Sequence, residues 1–304
     1  MSIFMRPWYR QINIDMPKFT IHRDEIPEDI QTEKYIFRKT GSYQKWEEIK
    51  NQVKWRKVEM KLHDTDFVRL RKDTLEVLDQ LKFRGWNSVK GPSEIYGGLS
   101  FVCNPRHKDG IDPDESTLGA PKNARDQFFW NQTSNYNQLK DTYFDSYGFT
   151  KRTTLANYGY IKEFLDSKVK RTMIRSRLGV LKNHVPDSSL AELNWHRDEI
   201  ICQNIRINIP ITTSPEYMFE MEGNDVYHLE LGKVYTWDTN IAHRVLLTNP
   251  APIDRVHFVL GFSPWFDYDE NNQCWVSNEF WGKHPFQMLI DGDVFSGLEI
   301  LKAE

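Results

Sequence analysis

The segment "ICQNIRINIPIT", residues 201–212, has the clearest strand pattern in the chain. Successive side chains of a strand point to opposite faces, so its residues separate into an apolar and a polar set. The polar face suits either a half-exposed sheet in water or the inside of a barrel that holds a polar ligand. The segment therefore predicts a strand and leaves both environments open. The apolar face carries Ile205, Ile207, Ile209 and Ile211, and the polar face carries Asn204, Arg206 and Asn208.

Similar short segments lie on both sides of this strand, from about Arg177 to Trp265. They are rich in β-branched and aromatic residues, and turn residues such as Pro, Gly, Asn and Asp separate them. Several short strands at such regular spacing predict an all-β sandwich or barrel. The segments are "RLGVL", "YMFEME", "VYHLEL", "KVYTWDT", "HRVLLT" and "VHFVLGF".

The pattern outside this region is mixed. Apolar residues recur at helical spacing in residues 66–83 and 159–174, which predicts two amphipathic helices. Residues 104–123 are dense in Gly, Pro and Asp, which predicts a long loop. The most basic stretch, "KVKRTMIRSR" at 168–177, is interpreted as the solvated face of a helix.

These patterns divide the chain into three parts. We expect residues 1–165 to form an α+β region that shapes the substrate pocket, and residues 166–268 to form the β core. Residues 269–304 are expected to form a C-terminal extension that packs on the core. Four aromatic residues of this extension are predicted to pack against the barrel: Trp275, Phe280, Trp281 and Phe286.

The composition is that of an ordinary folded protein. The 304 residues are 39% hydrophobic and 27% charged, with a net charge of −3, which argues against disorder and against a nucleic-acid-binding surface. No apolar run approaches the roughly 18 residues of a membrane helix, and the N-terminus does not resemble a signal peptide. Three scattered cysteines without C-x-x-C favour a reducing compartment. We predict a cytoplasmic protein without nucleic-acid or membrane partners, of open oligomeric state.

The tetrapeptide "HRDE" occurs at residues 22–25 and again at 196–199, and "HKD" occurs at 107–109. His-x-Asp supplies two ligands of one type of metal site, so the surroundings have to choose among the three copies. His107 falls in the predicted loop, and His22 precedes a polar, Pro-interrupted segment. His63 follows 41 residues after His22, but Arg69 and Arg71, which come after it, fall on the predicted helix. We interpret these histidines as surface or structural residues.

The second "HRDE" has different surroundings. His196 and Asp198 precede the strand at 205–212, His243 follows 47 residues after His196, and Arg255 comes 12 residues later. Strand alternation places Arg255 and His257 on the same face of "RVHFVLGF". Two imidazoles and one carboxylate form the facial triad of non-haem Fe(II) oxygenases, which leaves positions for a 2-oxo acid and dioxygen. The distal carboxylate of 2-oxoglutarate needs a cation, and Arg binds a carboxylate bidentately.

Residues 196–262 resemble the aspartyl/asparaginyl β-hydroxylase family of 2-oxoglutarate- and Fe(II)-dependent dioxygenases. The matching stretches are "HRDE", "IRINIPI", "LGKVYTWDTNIAHRVLLTN" and "DRVHFVLGF", in the order and at the spacings of the family. The chain departs from the family in two places. Asn208 stands where many members have His, and the interval from His243 to Arg255 is slightly longer.

The resemblance implies a mainly β protein whose core is a double-stranded β-helix, the cupin-like jelly roll. It implies His196, Asp198 and His243 as iron ligands and Arg255 as the cation for the distal carboxylate of 2-oxoglutarate. Arg206 is implied as a further co-substrate or active-site contact, and Asn208 and His257 are expected to belong to the co-substrate site as well. The reaction would consume 2-oxoglutarate and dioxygen, hydroxylate an amino acid or a peptidyl Asp/Asn-type side chain, and release succinate and carbon dioxide.

Two alternatives remain open. A zinc or manganese hydrolase could use the same three ligands to hold a water molecule. It would need a nearby base, and Glu199, the adjacent candidate, is expected to point away from Asp198. A non-catalytic jelly-roll binding module is the other alternative. The substrate, whether a small molecule or a peptide, is not defined by the sequence.

Overall fold

The computed structural model describes residues 17–27, 30–81, 85–88, 91–103, 146–183, 192–223 and 226–304. The loop predicted over residues 104–123 lies outside these ranges. The strands are β1 (Thr20–His22), β2 (Lys57–Leu62), β3 (Gly85–Ser88), β4 (Gly91–Ser100), β5 (Val102–Cys103), β6 (Lys151–Arg152), β7 (Arg177–Leu181), β8 (Glu192–His196), β9 (Ile205–Thr212), β10 (Tyr217–Met221), β11 (Tyr227–His228), β12 (Lys233–Trp237), β13 (His243–Leu247), β14 (Arg255–Phe262), β15 (Phe266–Asp269), β16 (Cys274–Ser277) and β17 (Leu298–Ala303).

The α-helices of the described ranges lie before β7 and near the C-terminus. None of the helices in these ranges combines the length and the apolar character needed to cross a membrane. The helices are α1 (Thr32–Lys39), α2 (Ser42–Ile49), α3 (Phe67–Leu81), α4 (Gly159–Lys168) and α5 (Pro285–Ile290), and short 3-10 turns occupy Arg23–Glu25, Ser146–Gly148 and Leu155–Asn157.

Two antiparallel sheets form the core. The larger has the order β17-β2-β12-β9-β14-β7-β4-β3, and the smaller has the order β11-β10-β13-β8. From β7 to β14 the chain places β7, β9, β12 and β14 in the large sheet and β8, β10, β11 and β13 in the small one. This arrangement is the double-stranded β-helix that the family resemblance implies.

Strands from outside residues 166–268 extend the large sheet at both edges. β2 pairs with β12, and β17 adds to β2, whereas β4 pairs with β7 on the other side. The N-terminal and C-terminal parts of the chain therefore enter the same sheet as the core strands. A small third sheet, β1-β16-β15, joins the N-terminal segment to the C-terminal extension.

The alternation in β9 now has a defined environment. Every residue of β9 and of β14 is buried, because one face of the sheet is covered by packed apolar residues and the other faces the small sheet. The apolar cluster that contains residues of α3 and α4 also contains the four isoleucines Ile205, Ile207, Ile209 and Ile211. The polar set of β9 faces inward, so the barrel-interior alternative is confirmed. In the C-terminal extension, Trp275 and Phe286 are buried, and Phe280 and Trp281 pack against the same cluster.

The two predicted helices differ in outcome. The first is confirmed as α3, with its buried residues Leu70, Thr74 and Val77 on one side. The second ends at Lys168, six residues earlier than predicted. Beyond that point the backbone bonds to distant segments instead of continuing the helix: Lys170 N–H donates to Val294, between α5 and β17, and Ile174 N–H donates to Gly261 on β14.

Candidate metal centre

His196 and His243 come together through strand register. β8 ends at His196, β13 begins at His243, and the two residues are partners in the antiparallel pair. Their ring centroids lie 4.4 Å apart. The side chain of His243 is 4% exposed and that of His196 is 34% exposed, so one ring is buried and the other lies at the cavity mouth.

Asp198 is placed by a loop and not by the strand. Its backbone N–H donates to the carbonyl of Thr239 at 2.9 Å, and the Thr239 hydroxyl donates to the carbonyl of Glu199. These bonds hold the loop after β8 against the loop after β12. Oδ2 of Asp198 then lies 3.6 Å from Nε2 of His243 and 4.0 Å from Nε2 of His196.

The three side chains form a group that could hold a metal ion. Their ligand atoms all lie within 4.8 Å of one another, and no other such group of His, Cys, Asp or Glu occurs in the described part of the chain. Nδ1 of His243 lies 2.9 Å from the carbonyl oxygen of Ile241, which can only accept. Nδ1 therefore carries the proton, and Nε2 presents its lone pair to the cluster. Two imidazoles and a carboxylate suit Fe(II), and they can also bind zinc or manganese.

A buried ion network lies beside Asp198. Arg206 donates from one terminal nitrogen to Oδ2 of Asp198 and from the other to Oε2 of Glu199. Oε1 of Glu199 accepts from Arg175 and, at 2.6 Å, from the hydroxyl of Ser146. The expectation that Glu199 points away from Asp198 is wrong, because β8 ends at His196 and the loop turns both carboxylates toward Arg206.

The network keeps both carboxylates ionised. Burial alone would raise the pKa of Asp198, but the positive charges of Arg206 and Arg175 outweigh it and hold this pKa well below its ordinary value. Burial would likewise raise the pKa of Glu199, but Arg175 and Arg206 lower it to about 2. A carboxylate with so low a pKa is a poor general base at neutral pH. This property argues against the hydrolase alternative.

A cavity between the two sheets contains the donor set. It encloses about 450 Å³ including its mouth. Phe219 and Trp237 pack against the ring of His243, with centroids 5.9 and 5.6 Å away, and make this part of the wall apolar. The lining residues are Tyr96, Arg177, His196, Asp198, Arg206, Asn208, Phe219, Trp237, Thr239, His243, Val245, Arg255 and Val259.

Arg255 lies far along the cavity wall from Arg206. Arg206 is the register partner of Gly261, six residues beyond Arg255 on β14, which corresponds to roughly 20 Å of strand. Arg255 is 7% exposed, and its guanidinium donates to Nδ1 of His257 at 2.9 Å. No carboxylate among the described residues forms an ion pair with it. Burial lowers the pKa of Arg255 to about 10, with nearby Arg177 contributing in the same direction. A buried cation in this state favours an anionic ligand.

The other predicted co-substrate residues have different positions. Asn208 lines the cavity and is the register partner of Val259. His257 is fully buried behind Arg255, and burial together with Arg255 holds its pKa well below the ordinary value, so the ring is neutral. Arg206 lines the cavity, but both of its terminal nitrogens are engaged by carboxylates.

His22 and His63 lie apart from this cluster, and His107 lies outside the described residues. His22 is exposed in β1, and Nε2 of His63 lies 2.5 Å from Glu299 on the surface. Arg69 lies on α3, where it pairs with Glu163. His107 falls in a part of the chain that the structure does not describe.

The basic stretch at 168–177 is not a solvated helix face. The chain is extended after Lys168, and Arg175 adopts a left-handed backbone with φ of 45°. Arg171 pairs with Asp267, Arg175 with Glu199, and Arg177 lines the cavity. Arg175 and Arg177 were not predicted as site residues, although the basic run in the sequence contains both of them. Tyr96 had no such signal in the sequence, because only the pairing of β4 with β7 brings it to the cavity.

No protein-family model and no curated protein sequence matches the chain. Among solved structures, it is similar to the non-heme alpha ketoglutarate dependent epimerase SnoN from nogalamycin biosynthesis, with 10% identity, a TM-score of 0.37 and coverage of 74% of this chain and 83% of that one. A Pseudomonas putida prolyl-4-hydroxylase gives 13% identity, a TM-score of 0.33 and coverage of 70% and 95%. A Burkholderia pseudomallei oxidoreductase of the 2OG-Fe(II) oxygenase family gives 10%, 0.32, 73% and 90%. At these values the functional conclusion depends on the geometry of the site.

Proposed function

We propose that the protein is a 2-oxoglutarate- and Fe(II)-dependent dioxygenase that hydroxylates an unactivated C–H bond of its substrate. The observation that supports this most strongly is one cavity with two features. It contains a His-Asp-His donor set with ligand atoms within 4.8 Å, and its wall carries a buried arginine without a described carboxylate partner. A divalent metal fits the first feature, and the distal carboxylate of 2-oxoglutarate fits the second.

Each residue has a defined part in this proposal. His196, Asp198 and His243 hold Fe(II), which together with 2-oxoglutarate and dioxygen supplies the oxidising chemistry, with succinate and carbon dioxide as products. Arg255 binds the distal carboxylate of the co-substrate, and His257 holds the guanidinium in place by accepting a hydrogen bond at Nδ1. Asn208, the register partner of Val259, offers a polar amide on the cavity wall. Arg206 supports Asp198 and is not itself a direct clamp.

The apolar part of the wall has a protective role. Phe219 and Trp237 cover the ring of His243 and keep water from that side of the donor set. Exclusion of water limits side reactions of a strong oxidant. We expect the substrate, an amino acid or a peptidyl Asp/Asn-type side chain as in the family that the sequence resembles, to enter at the exposed side of His196.

The test measures co-substrate turnover and its dependence on oxygen. Purified protein with Fe(II), ascorbate and 2-oxoglutarate in air is expected to release succinate slowly even without substrate, and the release should stop when oxygen is removed. A hydrolase does not consume oxygen, and a binding module does not form succinate. Anaerobic Fe(II) and 2-oxoglutarate should also give the weak visible band of a chelated 2-oxo acid. Absence of both signals from protein that binds the metal would refute the proposal.

Addition of substrates extends the same assay. A panel of free amino acids and Asp- or Asn-containing peptides is added, and products are examined for the mass gain of one oxygen atom. A gain that requires both 2-oxoglutarate and oxygen identifies the substrate class.

A further inference from the structure

Two arginines and two carboxylates form a buried group beside the candidate metal ligands. Arg206 bridges Asp198 and Glu199, and Arg175 binds the far oxygen of Glu199. The side chains are between 3% and 15% exposed, and their formal charges cancel. Ser146, from a segment outside the β core, adds a hydrogen bond of 2.6 Å to Glu199.

One oxygen of Asp198 faces two different cations. Oδ2 points toward Nε2 of both histidines, where a metal would lie, and the same oxygen accepts from Arg206. A metal ion and Arg206 therefore draw on the same negative charge. Asp198 can donate more strongly to a metal when Arg206 is also held by another carboxylate, and Glu199 is that carboxylate.

We infer that Glu199 is a positioning residue that sets the metal affinity of the site by sharing Arg206 with Asp198. The inference depends on the proposed function only in requiring that His196, Asp198 and His243 bind a divalent metal. Glu199 acts in two ways, and both are expected to strengthen metal binding. Its charge balances a guanidinium next to the metal, and its hydrogen bond keeps that guanidinium from being held by Asp198 alone.

If Glu199 has this role, substitutions of Glu199 and of its partner Arg175 should affect metal binding differently, although both break the same ion pair. Glu199→Gln removes a negative charge and leaves Arg206 to Asp198, so metal binding should weaken. Arg175→Gln breaks the same Arg175–Glu199 pair but removes a positive charge, and it leaves Glu199 to hold Arg206 more strongly. Metal binding should then stay the same or tighten. If the pair only held the loop in shape, both variants would weaken the binding.

The experiment measures Mn(II) binding to the full chain without co-substrate, by the electron paramagnetic resonance signal of free Mn(II). Glu199→Gln is expected to weaken binding by about 10- to 100-fold, the range seen when outer partners of metal ligands are removed. Arg175→Gln should bind Mn(II) at least as tightly as the wild type. Glu222→Gln serves as a matched control, because Glu222 is 62% exposed and pairs with Arg197 on the surface. Thermal unfolding of each variant is recorded in parallel.

The outcomes separate cleanly. Unchanged binding by Glu199→Gln, or comparable weakening by both variants, overturns the inference. If Glu199→Gln does not fold, Arg175→Gln still decides by its sign, since weaker binding contradicts the role given to Glu199. Failure of the wild type to bind Mn(II) would instead refute the metal site itself, and with it the proposed function.

Discussion

His243 lies directly opposite His196 in the small sheet, as its register partner in the β8–β13 pair. Both nitrogen donors are therefore positioned by backbone hydrogen bonds of a sheet, while Asp198 depends on the loop contacts with Thr239. Sites built on strands are more exact than sites built on loops. The two histidines form the rigid part of the centre, and the carboxylate is the part that its neighbours can tune.

Removal of one histidine tests this centre. His243→Ala deletes a donor that is 4% exposed and directed by its bond to Ile241, so tight Mn(II) binding should be lost. His22→Ala is the matched control, because His22 begins the other "HRDE" but is exposed in β1. Calorimetric titration with Mn(II) measures both. Equal loss of binding in the two variants would mean that the wrong copy of the motif has been chosen.

The strands of the core can be predicted from the sequence because the patterns that indicate them are local. Alternation over β9 and β14 and the spacing from His196 to His243 and Arg255 predict the strands and the ligand set. The interior position of Asn208 and Arg206 could not be decided from alternation, because a solvated sheet gives the same pattern. Only burial of the opposite, isoleucine face and the presence of the small sheet decide it.

The ion network could not be predicted for a related reason. The sequence places Glu199 next to Asp198, and strand alternation then directs the two side chains apart. The strand ends at His196, three residues before Glu199. The conformation of the loop that follows is set by its hydrogen bonds to Thr239 and not by strand alternation. Helical spacing in residues 159–174 was similarly misleading, because the backbone N–H groups of Lys170 and Ile174 donate to the distant carbonyls of Val294 and Gly261 and not within a helix. Such long-range competition is not visible in a local pattern.

The junction between the β core and the N-terminal region depends on a glycine. Gly98 on β4 pairs with Gly179 on β7, and a Cβ atom at Gly98 would lie 1.9 Å from the carbonyl oxygen of Leu178. Gly98→Ala should therefore lower the free energy of unfolding by about 1–3 kcal/mol, the range for overpacked sites. Gly179→Ala is the control on the facing strand, since its Cβ would meet nothing closer than 3.6 Å. Urea denaturation of both variants measures the difference, and equal stability would contradict the close approach.

His284 gives the fold a defined pH dependence. It caps α5 by accepting from the N–H of Phe286 at 3.2 Å, it is 3% exposed, and burial lowers its pKa from 6.5 to about 4. Between these two values the unfolded chain binds a proton that the folded chain does not. The contribution of His284 to stability is therefore complete above pH 6.5 and is lost as the pH falls toward 4, by up to about 3 kcal/mol.

The variant His284→Asn isolates this effect. Asn can still accept the capping hydrogen bond but does not titrate, so its free energy of unfolding should fall less between pH 7 and pH 4 than that of the wild type. Urea denaturation at a series of pH values measures the two slopes. Parallel slopes would show that the buried imidazole does not control the acid sensitivity.

Arg255→Lys tests the co-substrate end of the cavity. Lysine keeps the positive charge but loses the planar fork, so it can make only one of the two hydrogen bonds that a carboxylate accepts from arginine. Affinity for 2-oxoglutarate should fall by roughly 1.5–3 kcal/mol, the value of a charged hydrogen bond. The affinity is measured by anaerobic titration of the visible band formed with Fe(II). Mn(II) binding should not change, because Arg255 lies far along the wall from Asp198.

Arg244→Lys is the matched control for this substitution. Arg244 is also on a core strand, but it pairs with Glu220 at 2.6 Å and lies over the exposed ring of Trp195, outside the cavity. It should leave the affinity for 2-oxoglutarate unchanged. If Arg255→Lys binds the co-substrate as well as the wild type does, the distal carboxylate is held by a different cation of the cavity. Arg177 would then be the next residue to test, since it lines the same wall on the neighbouring strand β7.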